Sequence, residues 1–167
     1  MASNWTRKLE AIVKPVVLVI ILLVSFIFMA KSEAEMRVEV GMGMLSGDWS
    51  NGVGLLISEK IGDGKYSVGL GYLQEQEVVD RHHRYYDIDE NLFVQAQRHV
   101  MWKKLEISVG AAYFNATNRA LGSNFTAALG VHYNFSDSLS LGFRHYSNAG
   151  SGTPNMGQDI LMVGWRF

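Results

Sequence analysis

The stretch GFRHYSNAGSGTPNMGQD, residues 142–159, carries the side chains that are best suited to covalent chemistry. His145 and Ser147 lie two residues apart, so on a β-strand both point to the same face at a separation of about 7 Å. Asp159 follows twelve residues after the serine. A hydroxyl, an imidazole and a carboxylate that meet form a Ser-His-acid arrangement, in which the imidazole takes the hydroxyl proton and the carboxylate holds the imidazole.

The strands that must position these residues are indicated by an alternation of apolar with polar or small residues. This period of two begins at Met36 and continues almost to the C-terminus. The least regular segment is 91–101, where Arg98 interrupts the apolar face. The pattern predicts eight strands, around residues 36–44, 53–57, 66–72, 91–101, 105–113, 124–133, 139–147 and 161–167.

The connections between these strands alternate in length. IGDGK, WKK and FSDS are short, whereas residues 74–90, 115–124 and 148–157 form long segments. Short turns on one rim and long loops on the other are typical of outer-membrane barrels, whose short turns are periplasmic. We therefore predict an all-β fold, an eight-stranded antiparallel transmembrane β-barrel over residues 35–167.

The two faces of the predicted strands differ in chemistry. One face is apolar and carries aromatic residues near both ends, as lipid-facing strands do. The other face holds Arg37, Glu39, Glu106, Arg144 and Arg166, which suit a narrow lumen with paired charges. A soluble lipocalin-like barrel, with its apolar face inward, is the alternative.

The parity of the last two strands sends His145, Ser147 and Asp159 to the apolar, outward face, near the long-loop ends. Polar groups that face lipid are costly unless they are satisfied, so their presence indicates a functional site. The alternative is a group of solvated rim residues in the headgroup zone.

The N-terminus has the layout of a secretory signal peptide. Arg7, Lys8 and Lys14 precede an uncharged run over residues 15–30, which is shorter than the roughly 20 residues of a spanning helix. Ser32 and Ala34 are small residues with the spacing of a cleavage site. We predict a signal peptide over residues 1–34 and a mature start near Glu35; an uncleaved anchor over residues 1–34 is the alternative.

Composition excludes several classes of function. The chain has no cysteine, so it has neither disulfides nor thiolate metal sites, and its net charge of −1 offers no basic surface for nucleic acid. His82 and His83 lie near Asp80, Asp87 and Asp89, but solvated loop charge is favoured over a metal site there. The lumen-facing histidines, which we expect to be structural, are His99 and His132.

FRHYSN, followed by Gly150, Asn155 and an acidic residue twelve positions after the serine, resembles the lipid A 3-O-deacylase (PagL) family of outer-membrane esterases. The resemblance implies Ser147 as nucleophile, His145 as general base and acid, and Asp159 as the orienting carboxylate. It also implies an oxyanion site from the backbone N–H groups of Asn148 and Gly150 with the Asn155 side chain. The implied substrate is lipid A, or lipopolysaccharide, in the outer leaflet of a Gram-negative outer membrane, with no cofactor and no metal.

The chain departs from the family pattern at one position, since the family usually has Glu where this chain has Asp159. The carboxylate is one methylene shorter, which predicts a long or water-mediated hydrogen bond to His145. Loop arginines that could contact lipid A phosphates are Arg81, Arg84 and Arg119. Two other functions stay open: a non-catalytic small barrel of structural or adhesive type with a decayed site, and a soluble or virion-associated esterase that retains residues 1–34 as an anchor.

Overall fold

A computed structural model describes residues 35–45, 48–79, 85–117, 121–148 and 157–167. All described residues belong to one compact unit, residues 35–167. The signal peptide over residues 1–34 therefore lies outside the described residues and stays a prediction. In the described part of the chain, no helix has the length and apolarity needed to cross a membrane.

Eight strands close an antiparallel barrel, so the predicted fold class is confirmed. Each barrel strand pairs with the next barrel strand along the chain, and the first barrel strand pairs with the last to close the sheet. The strands of the barrel are β1 (Met36–Leu45), β2 (Asp48–Ile61), β3 (Tyr66–Leu73), β6 (Asn91–Trp102), β7 (Leu105–Phe114), β8 (Phe125–Asn134), β9 (Leu139–Ser147) and β10 (Gln158–Arg166).

Two local features differ from the expectation. The segment 74–90 is not a plain loop, since β4 (Gln76–Val79) and β5 (Tyr85–Ile88) pair there as a separate two-stranded sheet. Runs of four residues are too short for a period of two to reveal them. Residues 48–52, which precede the predicted strand at 53–57, also belong to a strand, because β2 begins at Asp48; a register shift between Met42 and Met44 lets the ladder continue.

The outward face of the barrel is apolar and exposed, as lipid contact requires. Arg98 is the exposed charged residue of the β6 outward face. The exposed aromatic residues near the long-loop end are Tyr113 and Phe125, and those near the short-turn end are Tyr66, Trp102, Tyr133, Phe135, Trp165 and Phe167.

The short-turn half of the lumen holds paired charges, as predicted. Arg37 Nη2 donates to Glu106 Oε2 at 2.6 Å, and Arg144 Nε donates to Glu39 Oε2 at 2.9 Å. Two buried histidines join these groups: His99 Nδ1 lies 2.9 Å from Glu106 Oε1, and His132 Nδ1 lies 3.1 Å from Glu39 Oε1. Each buried charge thus has an opposite charge beside it, which offsets the cost of desolvation.

The long-loop half of the lumen is an apolar core. Phe93 stacks on Phe114 with ring centroids 4.8 Å apart, and the Tyr146 ring meets both edge-on. The other buried members are Leu56, Leu73, Ala112, Leu121, Ala128, Ile160 and Met162. This core lies directly behind the strand ends that carry His145, Ser147 and Asp159.

Candidate active site

His145 and Asp159 face each other across the β9–β10 ladder. They are paired residues in the register, and His145 Nδ1 lies 2.6 Å from Asp159 Oδ1. Their side chains are 37% and 23% exposed, so the pair sits at the surface of the outer wall rather than inside the lumen. The short distance indicates a hydrogen bond between the ring and the carboxylate.

Ser147 lies on the same outward face of β9, two residues beyond His145, and is partly exposed. When Nδ1 of His145 donates its proton to Asp159, Nε2 is left as the basic atom of the ring. The three side chains thus occupy adjacent positions on the outer wall at the long-loop end of β9 and β10. An arrangement of this kind can activate a serine hydroxyl, although the catalytic roles themselves stay predictions.

The expectation of a long or water-mediated bond from Asp159 is wrong, because the two side chains contact directly at 2.6 Å. The reason lies in the register. Side chains directly opposite each other on antiparallel strands have Cβ atoms about 4.5–5.5 Å apart, so a short carboxylate already reaches the ring. The sequence alone does not show that Asp159 and His145 are paired.

Gly157 also contacts the site, and the sequence reasoning did not single it out. Its backbone has φ of +69°, which glycine adopts without strain. A Cβ at this position would lie 2.7 Å from His145 Cε1, too close for an ordinary contact. Gly157 therefore lets the chain that enters β10 pass against the imidazole ring.

Arg144 anchors β9 from the lumen side, immediately before His145. It is fully buried and bonds Glu39, and its Nη1 donates to Gln97 Oε1 at 2.6 Å. Charge-assisted hydrogen bonds of this kind are stronger than neutral ones. The backbone that carries His145 is thus held from inside the barrel.

Tyr146 anchors the same strand between His145 and Ser147. Its hydroxyl donates to Gln95 Oε1 at 2.9 Å, and its ring packs in the apolar core. Because side chains alternate along a strand, the lumen-facing Tyr146 fixes the backbone from which both outward residues project.

The predicted oxyanion residues are only partly within the described residues. Asn148 directly follows β9 and is buried at 3% exposure. Gly150 and Asn155 lie outside the described residues, as do the loop residues Asp80, Arg81, His82, His83, Arg84 and Arg119. Among the residues that the structure describes, no group of three metal-ligating side chains comes together.

A row of small side chains leads away from Ser147 across the outer wall. Residues that are cross-strand partners lie side by side, about 4.8 Å apart per strand. The register aligns Ser147 on β9 with Ala127 on β8, Ala111 on β7 and Ala96 on β6. These three alanines form the floor of what we call the outer groove.

Larger side chains border this floor on both sides, because they occupy the outward positions two residues above and below it. The upper ridge, on the long-loop side, consists of Phe125, Tyr113, Val94 and Leu70. The lower ridge starts beside His145 and consists of Leu129, Val109, Arg98 and Tyr66. An open surface cavity of about 600 Å³ lies along the groove, and its lining residues run from Met36 on β1 to Phe125 on β8.

The family model for lipid A 3-O-deacylase (PagL) matches residues 66–167, which is more than half of the chain. The chain belongs to the lipid A 3-O-deacylase family. The part that matches the family runs from the start of β3 to the C-terminus and so includes His145, Ser147 and Asp159. Membership of this family and the barrel fold make the chain an outer-membrane protein.

Solved structures share the barrel fold at low identity. A de novo designed transmembrane β-barrel is 15% identical, with a TM-score of 0.50 over 82% of this chain and 98% of that chain. Ail from Yersinia pestis is 14% identical, with a TM-score of 0.47 over 81% and 100% of the two chains. The outer-membrane enzyme PagL is 16% identical, with a TM-score of 0.47 over 80% and 99%. No curated protein matches the chain.

Proposed function

We propose that the chain hydrolyses the ester-linked 3-O acyl chain of lipid A on the lipid-facing wall of its barrel. The observation that carries this proposal is the His145–Asp159 hydrogen bond of 2.6 Å beside Ser147, at the mouth of an apolar groove. Family membership supplies the substrate class, and the groove supplies an apolar surface for an acyl chain that lies in the outer leaflet.

The reaction has two steps. Ser147 Oγ attacks the ester carbonyl while His145 Nε2 takes its proton, and Asp159 stabilises the resulting imidazolium. The tetrahedral intermediate collapses, His145 protonates the departing sugar oxygen, and the acyl chain stays on the serine. A water molecule, deprotonated by His145, then releases the fatty acid and restores Ser147.

The negative charge that develops on the carbonyl oxygen needs hydrogen-bond donors. By analogy with the family, the backbone N–H groups of Asn148 and Gly150 and the side chain of Asn155 supply them. Loss of one such donor costs on the order of 10² to 10³ in rate. The reaction needs only water as second reactant, so we propose neither a metal nor a cofactor.

The experiment is mass spectrometry of lipid A from Gram-negative cells that express the chain. The native chain should produce lipid A that lacks one ester-linked acyl chain, and Ser147→Ala should not. Ser138→Ala is the matched control, since it removes a hydroxyl from the short β8–β9 turn, far from the site. Unmodified lipid A with the native chain correctly folded would refute the proposal and favour a non-catalytic barrel of structural or adhesive type.

A further inference from the structure

The side chains of the outer groove change in size and charge at the end away from Ser147. The row that runs through Ala127, Ala111 and Ala96 continues to Val68 on β3 and then to Glu59 on β2. Val68 is larger than alanine and 46% exposed, so the floor rises there. Glu59 follows with a partly exposed carboxylate, and both residues line the cavity.

The number of strands between Ser147 and this end of the groove determines how long an acyl chain the groove can hold. Ala96 is three strands from Ser147 and Val68 is four, which corresponds to about 14 Å and about 19 Å. A C–C bond of about 1.5 Å advances an extended chain by roughly 1.3 Å per carbon. Chains of about 11 carbons therefore reach Ala96, and chains of about 15 reach Val68.

We propose that Val68 and Glu59 set the length of the acyl chain that the outer groove accepts, at about 11 to 15 carbons. The inference rests on the proposed function, because it takes Ser147 as the point where the chain is attached. A longer chain has to pass over the Val68 side chain and bring its apolar end against the Glu59 carboxylate. Apolar groups gain nothing from burial against a charge that must stay hydrated.

Two substitutions move the end of the groove in opposite directions. Val68→Ala extends the alanine floor by one strand and should lengthen the preferred chain by about four carbons. Ala96→Leu blocks the floor one strand closer to Ser147, so the preferred acyl chain should shorten to about eight carbons. Val163→Ala and Val163→Leu make similar changes on β10, outside the groove, and should leave the length profile unchanged.

The measurement is kcat/KM for synthetic 3-O-acylated glucosamine phosphates with chains of about 8 to 18 carbons, in detergent micelles. For the native chain, the longest substrate should be at least about tenfold slower than one of 12 carbons. Active variants whose length profiles all match the native profile would overturn the inference and leave the proposed function intact. Loss of activity in the native chain would overturn the proposed function instead.

A binding experiment tests the groove without any turnover. Ser147→Ala protein is irradiated with a glycolipid of the same type whose 12-carbon 3-O chain ends in a diazirine. Cross-links in β3 or β6 support the inference. Cross-links confined to β1 or β10 overturn it, whether or not the native chain is active.

Discussion

His145 and Asp159 are direct cross-strand partners on β9 and β10, and 2.6 Å separates His145 Nδ1 from Asp159 Oδ1. The hydrogen bond between them is therefore set by strand register and not by a flexible loop. Because Arg144 and Tyr146 hold β9 from the lumen, the ring starts from a fixed backbone position, and the β9–β10 pairing places the carboxylate opposite it.

Asp159→Glu should lower kcat by about ten- to a hundredfold, because the side chain gains about 1.5 Å at a position where the shorter one already reaches the ring. Asp159→Ala should leave more residual activity than Ser147→Ala, with losses of about 10⁴ against about 10⁶. Kinetics on purified protein measure both. Equal or higher activity in Asp159→Glu would show that the native carboxylate is too short after all.

Gly157→Ala should reduce kcat by about a hundredfold with little change in KM, because the new Cβ would displace the His145 ring. Backbone strain at positive φ adds about 1–2 kcal/mol of destabilisation. Gly62→Ala is the control, since Gly62 has a similar φ of +65° but no atom within 4 Å of a built Cβ. Native kcat in Gly157→Ala would rule out this contact as a constraint on the ring.

Tyr146→Phe should destabilise the barrel by about 1–3 kcal/mol, because it leaves the buried Gln95 Oε1 without the hydroxyl that donates to it. The double variant Tyr146→Phe/Gln95→Met should recover part of that loss, since both partners of this bond are then apolar, and Gln97 Oε1, which loses the Gln95 Nε2 donor, keeps the Arg144 Nη1 donor. Urea unfolding in lipid vesicles measures the free energy of unfolding. The value of kcat should fall in the single variant and recover with stability in the double variant. A single variant as stable and active as the native chain would contradict the anchoring role.

Protein purified from outer membranes should begin near Glu35, because residues 1–34 have the layout of a cleaved signal peptide. Intact-mass measurement shows at which residue the purified chain begins. A mass that includes Met1 or Ala2 would instead establish the uncleaved anchor.

The period of two in the sequence was enough to predict the eight barrel strands and the outward direction of Ser147, because lipid imposes the alternation directly. The period of two does not predict the strand register, because the register depends on contacts between residues far apart in the chain. The partnership of His145 with Asp159 and the alignment of Ala127 with Ser147 were therefore found only in the structure. The contact of Gly157 with the imidazole needs three-dimensional proximity for the same reason.

The outer groove lies on the outside of the barrel, between two ridges that face the leaflet. A substrate chain on this surface arrives by lateral diffusion in the membrane and leaves the same way. The quantity that governs its encounter with Ser147 is then the mole fraction of substrate in the leaflet, and not its bulk concentration in water. Adding inert detergent or lipid at constant substrate would thus slow turnover by surface dilution alone.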